Sequence, residues 1–181
     1  GFLNADPKYF SDTVKINQMP YNEAIEQAYY GASVIHPKTV KPLQNKGIPL
    51  EIKSFLNPEA EGSTVGNYKE LQPQVPLYIV RRDQVLLSIT PKDFAFIAED
   101  HLRTIFSHFA DAGMRINMMQ NSALSFSVVF DHNAPVRDHL QTALKKDYNV
   151  QYNTCLHLIT IRHYTQEVID QMTHGYHVLL E

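Results

Sequence analysis

The order of apolar periods between residues 85 and 153 constrains this chain more than any other feature. "VLLSIT" (85–90) is strand-like. Over 98–112, Leu102, Ile105, Phe106 and Phe109 fall at i, i+3, i+4 and i+7, one face of an amphipathic helix, and Gly113 closes it. "RINMMQ" (115–120) and "ALSFSVVF" (123–130) read as two strands with a short connection. Asn133 can cap a helix over 134–147 whose apolar face is Val136, Leu140, Ala143 and Leu144. "VQYNTCLHLITIRHY" (150–164) is again β-rich.

These elements spell β-α-β-β-α-β over 85–153, the ferredoxin-like order. The expected fold class is therefore α+β, a four-stranded antiparallel sheet with both helices on one face. "LYIVRR" (77–82), the run 154–163, a short helix "TQEVIDQM" (165–172) and a last strand "YHVLLE" flank that unit. They are expected to form a second, similar unit, incomplete here, into which the first is inserted. The chain opens on Gly1 without Met and closes on that apolar run, so a piece of a longer protein is expected.

The first third has a different grammar. Ala24, Ile25, Ala28 and Tyr29 are at helical spacing in 20–30, and Gly31 ends the run as a C′ glycine would. Pro37 suits the first turn of a second helix, 37–45, while Pro42 inside it should shorten or kink it. "IPLEIKS" (48–54) reads as a strand, "NPEAEGST" (57–64) as a turn, and "GNYKELQPQVP" (66–76) as a linker.

Composition narrows the function classes. A net charge of −3 leaves no basic footprint for nucleic acid. No apolar run approaches the roughly 18–20 residues that span a bilayer, so no membrane partner is expected. "GFLNADPKYF" has no charged stretch followed by an apolar one, so no signal peptide is expected. The single cysteine, Cys155, excludes an internal disulfide and suits a reducing, cytoplasmic setting. The nine histidines find no Cys or carboxylate cluster in sequence to complete a metal shell. Met118-Met119 reads as core or interface filler, and Lys145-Lys146 complements a helix C-terminus.

"GFLNADPK" (1–8), "NEAIEQAYYGASVIHPKTV" (22–40), "IPLEI" (48–52) and "NPEAEGST" (57–64) resemble, in order and spacing, the end of the catalytic domain of aspartate kinases. That family runs D-P-R, E-A-x-E-x-A, F-G-A-K-V-L-H-P-x-T, I-P-V and N-P-x-A-x-G-T. "INMMQNSALSFSVVF" (116–130) resembles V-D-x-I-x-T-S-E-V-S-x-S-x-T of the family's regulatory pair of ACT domains.

The resemblance implies a domain plan: residues 1–66 end an amino-acid kinase domain, 67–76 link, 85–153 form a first ACT domain, and 77–84 with 154–181 a second. It implies ATP contacts at Leu3, Lys8, Ser33 and Val34. Lys8 stands at the arginine of D-P-R, and Ser33 stands where the family has the lysine of G-A-K. ATP and Mg would serve the full-length enzyme, which phosphorylates aspartate. The family's phosphate loop and aspartate grip lie upstream of these residues. This chain alone is expected to be inactive, without catalytic residues or a bound cofactor.

The resemblance also implies an amino-acid effector, threonine or lysine, and a homodimer formed through ACT domains. The loop before the 98–112 helix, with Phe94, Ala95, Ile97 and Ala98, would seat the effector carboxylate on free N–H groups. Asn117, Met118, Gln120, Asn121 and Ser122 would face its ammonium. Asn117 and Ala123 replace the two acids of the lysine-sensitive pattern, which points to threonine. The plainer reading is that Asn117 and Asn121 only satisfy backbone near a turn.

Two other readings stand beside this one. The first is an ACT module without kinase connection, which leaves the first 65 residues unexplained. The second is an RNA-recognition domain of the same element order. Phe126, Val128 and Phe130 alternate suitably for it, but the signature's basic residue and glycines are missing.

Overall fold

A computed structural model describes residues 1–32, 34–93 and 95–180. It contains two compact units. One holds residues 1–80 and the return segment from Ile159 onward; the other holds Arg81–Leu158.

In the first unit, β1 (Phe2–Leu3) pairs antiparallel with β2 (Lys15–Ile16). Next come β3 (Gln18–Pro20), α1 (Tyr21–Tyr30), α2 (Pro37–Lys46), β4 (Leu50–Ile52) and β5 (Ser63–Gly66). β5 lies between β3, to which it is parallel, and β4, to which it is antiparallel. Phe2, Ile16, Met19, Tyr21, Ala24, Val40, Val65, Leu71 and Leu77 form the buried core.

The His-Pro junction is a helix start. His36 has extended backbone, and its Nδ1 accepts the Lys38 N–H at 3.2 Å while Pro37 opens α2. Gly47, at φ +65°, closes the helix, and the Ile48 N–H returns to the Leu43 carbonyl at 2.9 Å. Pro42 does not shorten α2, which runs to Lys46. Both ends are capped and Val40 is fully buried, so the helix survives one missing backbone bond.

The 67–76 stretch is pinned to β3. The Gln72 carbonyl accepts from Asn17 and Gln18 at 2.7 and 3.1 Å, its N–H donates to Gln18 at 2.9 Å, and Leu71 is buried.

β6 (Leu77–Pro91) leads into the second unit, followed by α3 (Glu99–Asp111), β7 (Ile116–Asn121), β8 (Phe126–Asp131), α4 (Ala134–Leu144) and β9 (Tyr148–Arg162). The sheet order is β7-β8-β6-β9, the order a β-α-β-β-α-β chain makes when it closes ferredoxin-like. Val85, Leu87 and Ile89 alternate along β6, and Phe126, Val128 and Phe130 along β8. Alternate residues share a face, so these six meet Ile105 and Phe109 of α3 and Leu140 and Leu144 of α4 on one side of the sheet. Asn133 caps α4 as expected, its Oδ1 accepting the Val136 N–H at 3.3 Å.

Three expectations are corrected. The two strands read at 77–82 and 85–90 are one strand, because Asp83 takes φ +51° and lets the chain continue after an irregular step. The strand read from 123 starts at Phe126, because Ser122 and Ser125 close a turn through backbone and hydroxyl bonds of 2.8–3.2 Å. "YHVLLE" makes no strand over 176–180. A strand exists only through its ladder, and no described strand pairs with this run. The helix before it, α5, spans Gln166–Thr173.

Cys155 also lies at positive φ, +58°, within β9, and its side chain is exposed. Cys155→Gly is expected to raise stability by about 0.5–1 kcal/mol, the left-handed penalty less the entropy that glycine adds to the unfolded chain. A urea midpoint unchanged or lowered would refute this.

Candidate functional site

Leu3, Lys8 and Val34, the expected nucleotide-side residues, are all exposed. The Lys8 backbone closes a turn on the Asp6 carboxylate at 2.9 Å. Ser33 and Phe94 lie outside the described residues.

The expected effector residues divide between the two ends of β7. At the far end, the Ile97 N–H donates to the Ala123 carbonyl at 2.8 Å, so the loop before α3 lies against the β7–β8 turn. Ala95 closes its own turn on Asp93 at 3.0 Å. Ala98 occupies the N-cap of α3 without a side-chain cap. The first N–H groups of α3 therefore have no side-chain partner there, although Glu99 and Asp100 in the first turn oppose an anion. Ser122 spends its hydroxyl on Ser125, and Asn121 is exposed.

Met118 and Gln120 pair with Val129 and Ser127 and so share their face, opposite to the helices. Met119 pairs with Val128 on the helix side but is 57% exposed at the sheet edge, so it fills less core than expected.

Asn117 sits at the other end, roughly 13 Å along the strand from Asn121 at the usual rise. Its Nδ2 donates to Gln84 Oε1 at 2.9 Å and to Asp131 Oδ1 at 3.0 Å. Gln84, only 1% exposed, donates to the same Asp131 oxygen and to the Arg82 carbonyl, both at 2.9 Å. Arg81 Nη1 stands 3.8 Å from that oxygen. Asn117 Oδ1 is buried with no protein partner. The cluster thus presents one carboxylate and one unmet acceptor, a pairing suited to a cationic or hydroxyl donor.

Gln84 and Asp131 escaped the sequence reading because they come from neighbouring strands and look like turn residues beside apolar runs. The one available signal was polarity at both ends of the paired segments, "DQVLL" and "VVFDH".

Among the described residues, no group of three or more His, Cys, Asp or Glu side chains is placed to hold a metal. No described helix is long and apolar enough to cross a membrane.

The amino acid kinase family model matches residues 1–54. Aspartokinase 3, chloroplastic, of Arabidopsis thaliana is 29% identical over 136 residues, 72% of this chain and 23% of that one. The structure of E. coli aspartokinase III in complex with lysine and aspartate superposes over 87% of this chain and 36% of its own, with 25% identity and a TM-score of 0.74. The chain is related to the aspartokinases. Residues 1–54 match the amino acid kinase family, and the similarity to aspartokinases continues into the region that follows. The aspartate kinase of Clostridium acetobutylicum, 21% identical, shares the fold over 96% of this chain and 42% of its own, with a TM-score of 0.81. The chain spans about a quarter of the length of the curated aspartokinases it matches, 23% of the Arabidopsis one.

Proposed function

We propose that this chain is the feedback-sensing region of an aspartokinase and binds a free amino acid on the second unit. The whole enzyme would phosphorylate aspartate with ATP and Mg, and bound end product would favour an inactive arrangement. The observation that carries this reading is the likeness, over 87% of the chain, to an aspartokinase crystallised with lysine and aspartate. A switch from mostly active to mostly inactive needs about 5 kcal/mol of differential binding. A small ligand supplies that only through charge-assisted contacts made in one state.

Threonine is favoured by Asn117 and Ala123, which stand at the two lost acids. Lysine is favoured by Asp131, whose carboxylate lies 3.0 Å from the Asn117 amide and restores a negative charge there. Calorimetric titration with each amino acid separates them. Asn117→Ala should weaken binding by about 10-fold or more, a lost buried hydrogen bond to a charged group. Equal binding by wild type and this variant would remove Asn117 from the site.

The 181-residue chain should show no phosphoryl transfer with Mg-ATP and aspartate, since it holds no phosphate loop. Turnover above a buffer blank would overturn that.

The chain should also self-associate through a sheet edge. β7 and β9 are the edge strands of the four-stranded sheet, and the runs 123–130 and 156–161 should lie in or beside the shared sheet. Sedimentation as a monomer at tens of micromolar would refute self-association.

A further inference from the structure

The first unit contains a buried carboxylate that the effector reading does not use. Glu23, on α1, is 4% exposed. Three groups from the end of β9 and the residue beyond it converge there. Arg162 Nε donates to Glu23 Oε1 at 2.6 Å and its Nη2 to Oε2 at 3.1 Å, a two-pronged grip. His163 Nε2 lies 3.0 Å from Oε2. Arg162 Nη1 reaches Glu26, one turn along α1, at 3.3 Å.

Up to Arg162 the return segment is also held as the end of β9, hydrogen-bonded to β6; beyond Arg162 its apolar side chains Val168, Ile169 and Met172 are at most half-buried. None of it belongs to the buried apolar core of this unit, and α5 buries no side chain. His163 is held at φ +54°, a conformation a non-glycine residue keeps only when its contacts offset the cost. Beyond β9, a described segment with no fully buried apolar side chain and a focused ionic contact at its root docks or releases according to that contact. On release Glu23 regains water, so the open state carries no stranded buried charge.

We propose that Arg162 and His163 form an ionic latch, by which the return segment reversibly docks on helix α1 through Glu23 and Glu26. Its occupant is the chain itself, and the latch operates whichever ligand the second unit takes. It makes α1 sensitive to a segment some 140 residues later.

Hydrogen–deuterium exchange of the full 181-residue chain tests this. Arg162→Met should raise exchange in both Tyr21–Tyr30 and His163–Thr173 by about 10-fold or more, with the paired strands Val85–Ile89 and Phe126–Phe130 unchanged. Arg162→Lys, which keeps charge without the fork, should fall between. Should the Met variant not fold, Glu23→Gln keeps the shape and one acceptor oxygen and should raise exchange in the same two segments. Exchange within two-fold of wild type in both segments overturns the latch. So does faster exchange spread equally over both units, which is the signature of a pair that only stabilises the whole chain.

Discussion

Phe130→Ala is expected to cost about 3–5 kcal/mol of stability, a large part of what a domain of this size has. Phe130 is fully buried near the C-terminal end of β8, edge-to-face with Phe109 of α3 at a centroid distance of 5.6 Å. Truncation removes the apolar transfer energy, the ring pair and the packing around them, because Val85, Ile105 and Leu140 in the same cluster sit on stiff elements that close the hole only partly. Urea unfolding followed by circular dichroism reads the loss. A change below about 1.5 kcal/mol would mean that β8 is not the centre of this core. Ser127→Ala on the same strand is the control. Its hydroxyl makes only a 3.4 Å contact with Ser88, so the cost should stay within about 0.5–1 kcal/mol.

Arg162→Met should give the second largest loss, about 2–3 kcal/mol in the first unit. Breaking a buried ion pair costs about 3–5 kcal/mol, and the value is reduced here because the Arg162 side chain is 26% exposed. The same cluster sets an acid limit. Burial pushes the Glu23 carboxyl up, but hydrogen bonds and charges from Arg162 and His163 outweigh it and hold the group below its ordinary value of 4.5. A depressed carboxylate stabilises the fold fully above the unfolded value and loses that contribution as pH falls through the folded one. Wild-type stability should therefore drop on the acid side of pH 4.5, and Glu23→Gln should be flatter across the same window. Parallel acid limbs for the two proteins would show that Glu23 is not the group responsible.

Local chemistry was readable from the chain. The helix 98–112 announced itself through Leu102, Ile105 and Phe109, because a 3.6-residue period is a property of one segment. Gly31, Pro37 and Asn133 marked helix ends for the same reason: caps involve residues a few positions apart. Asp83 was the exception among local features. A polar residue at positive φ looks like a turn between two strands, and only the folded structure shows one strand, Leu77–Pro91, continuing past it.

The candidate site was legible in part, through Asn117, Ser122 and the loop before α3. What the sequence by itself determined was the element order, and with it the ferredoxin-like sheet. Alternation and helical period decide which faces must be buried, and few chain paths bury them together. Only the tertiary structure decided what sits beside Asn117, and that Glu23 meets Arg162 across 139 residues. Those contacts depend on strand register and on where the chain returns. No local pattern encodes them, because hydrogen bonds and ion pairs between distant segments leave no period in either one.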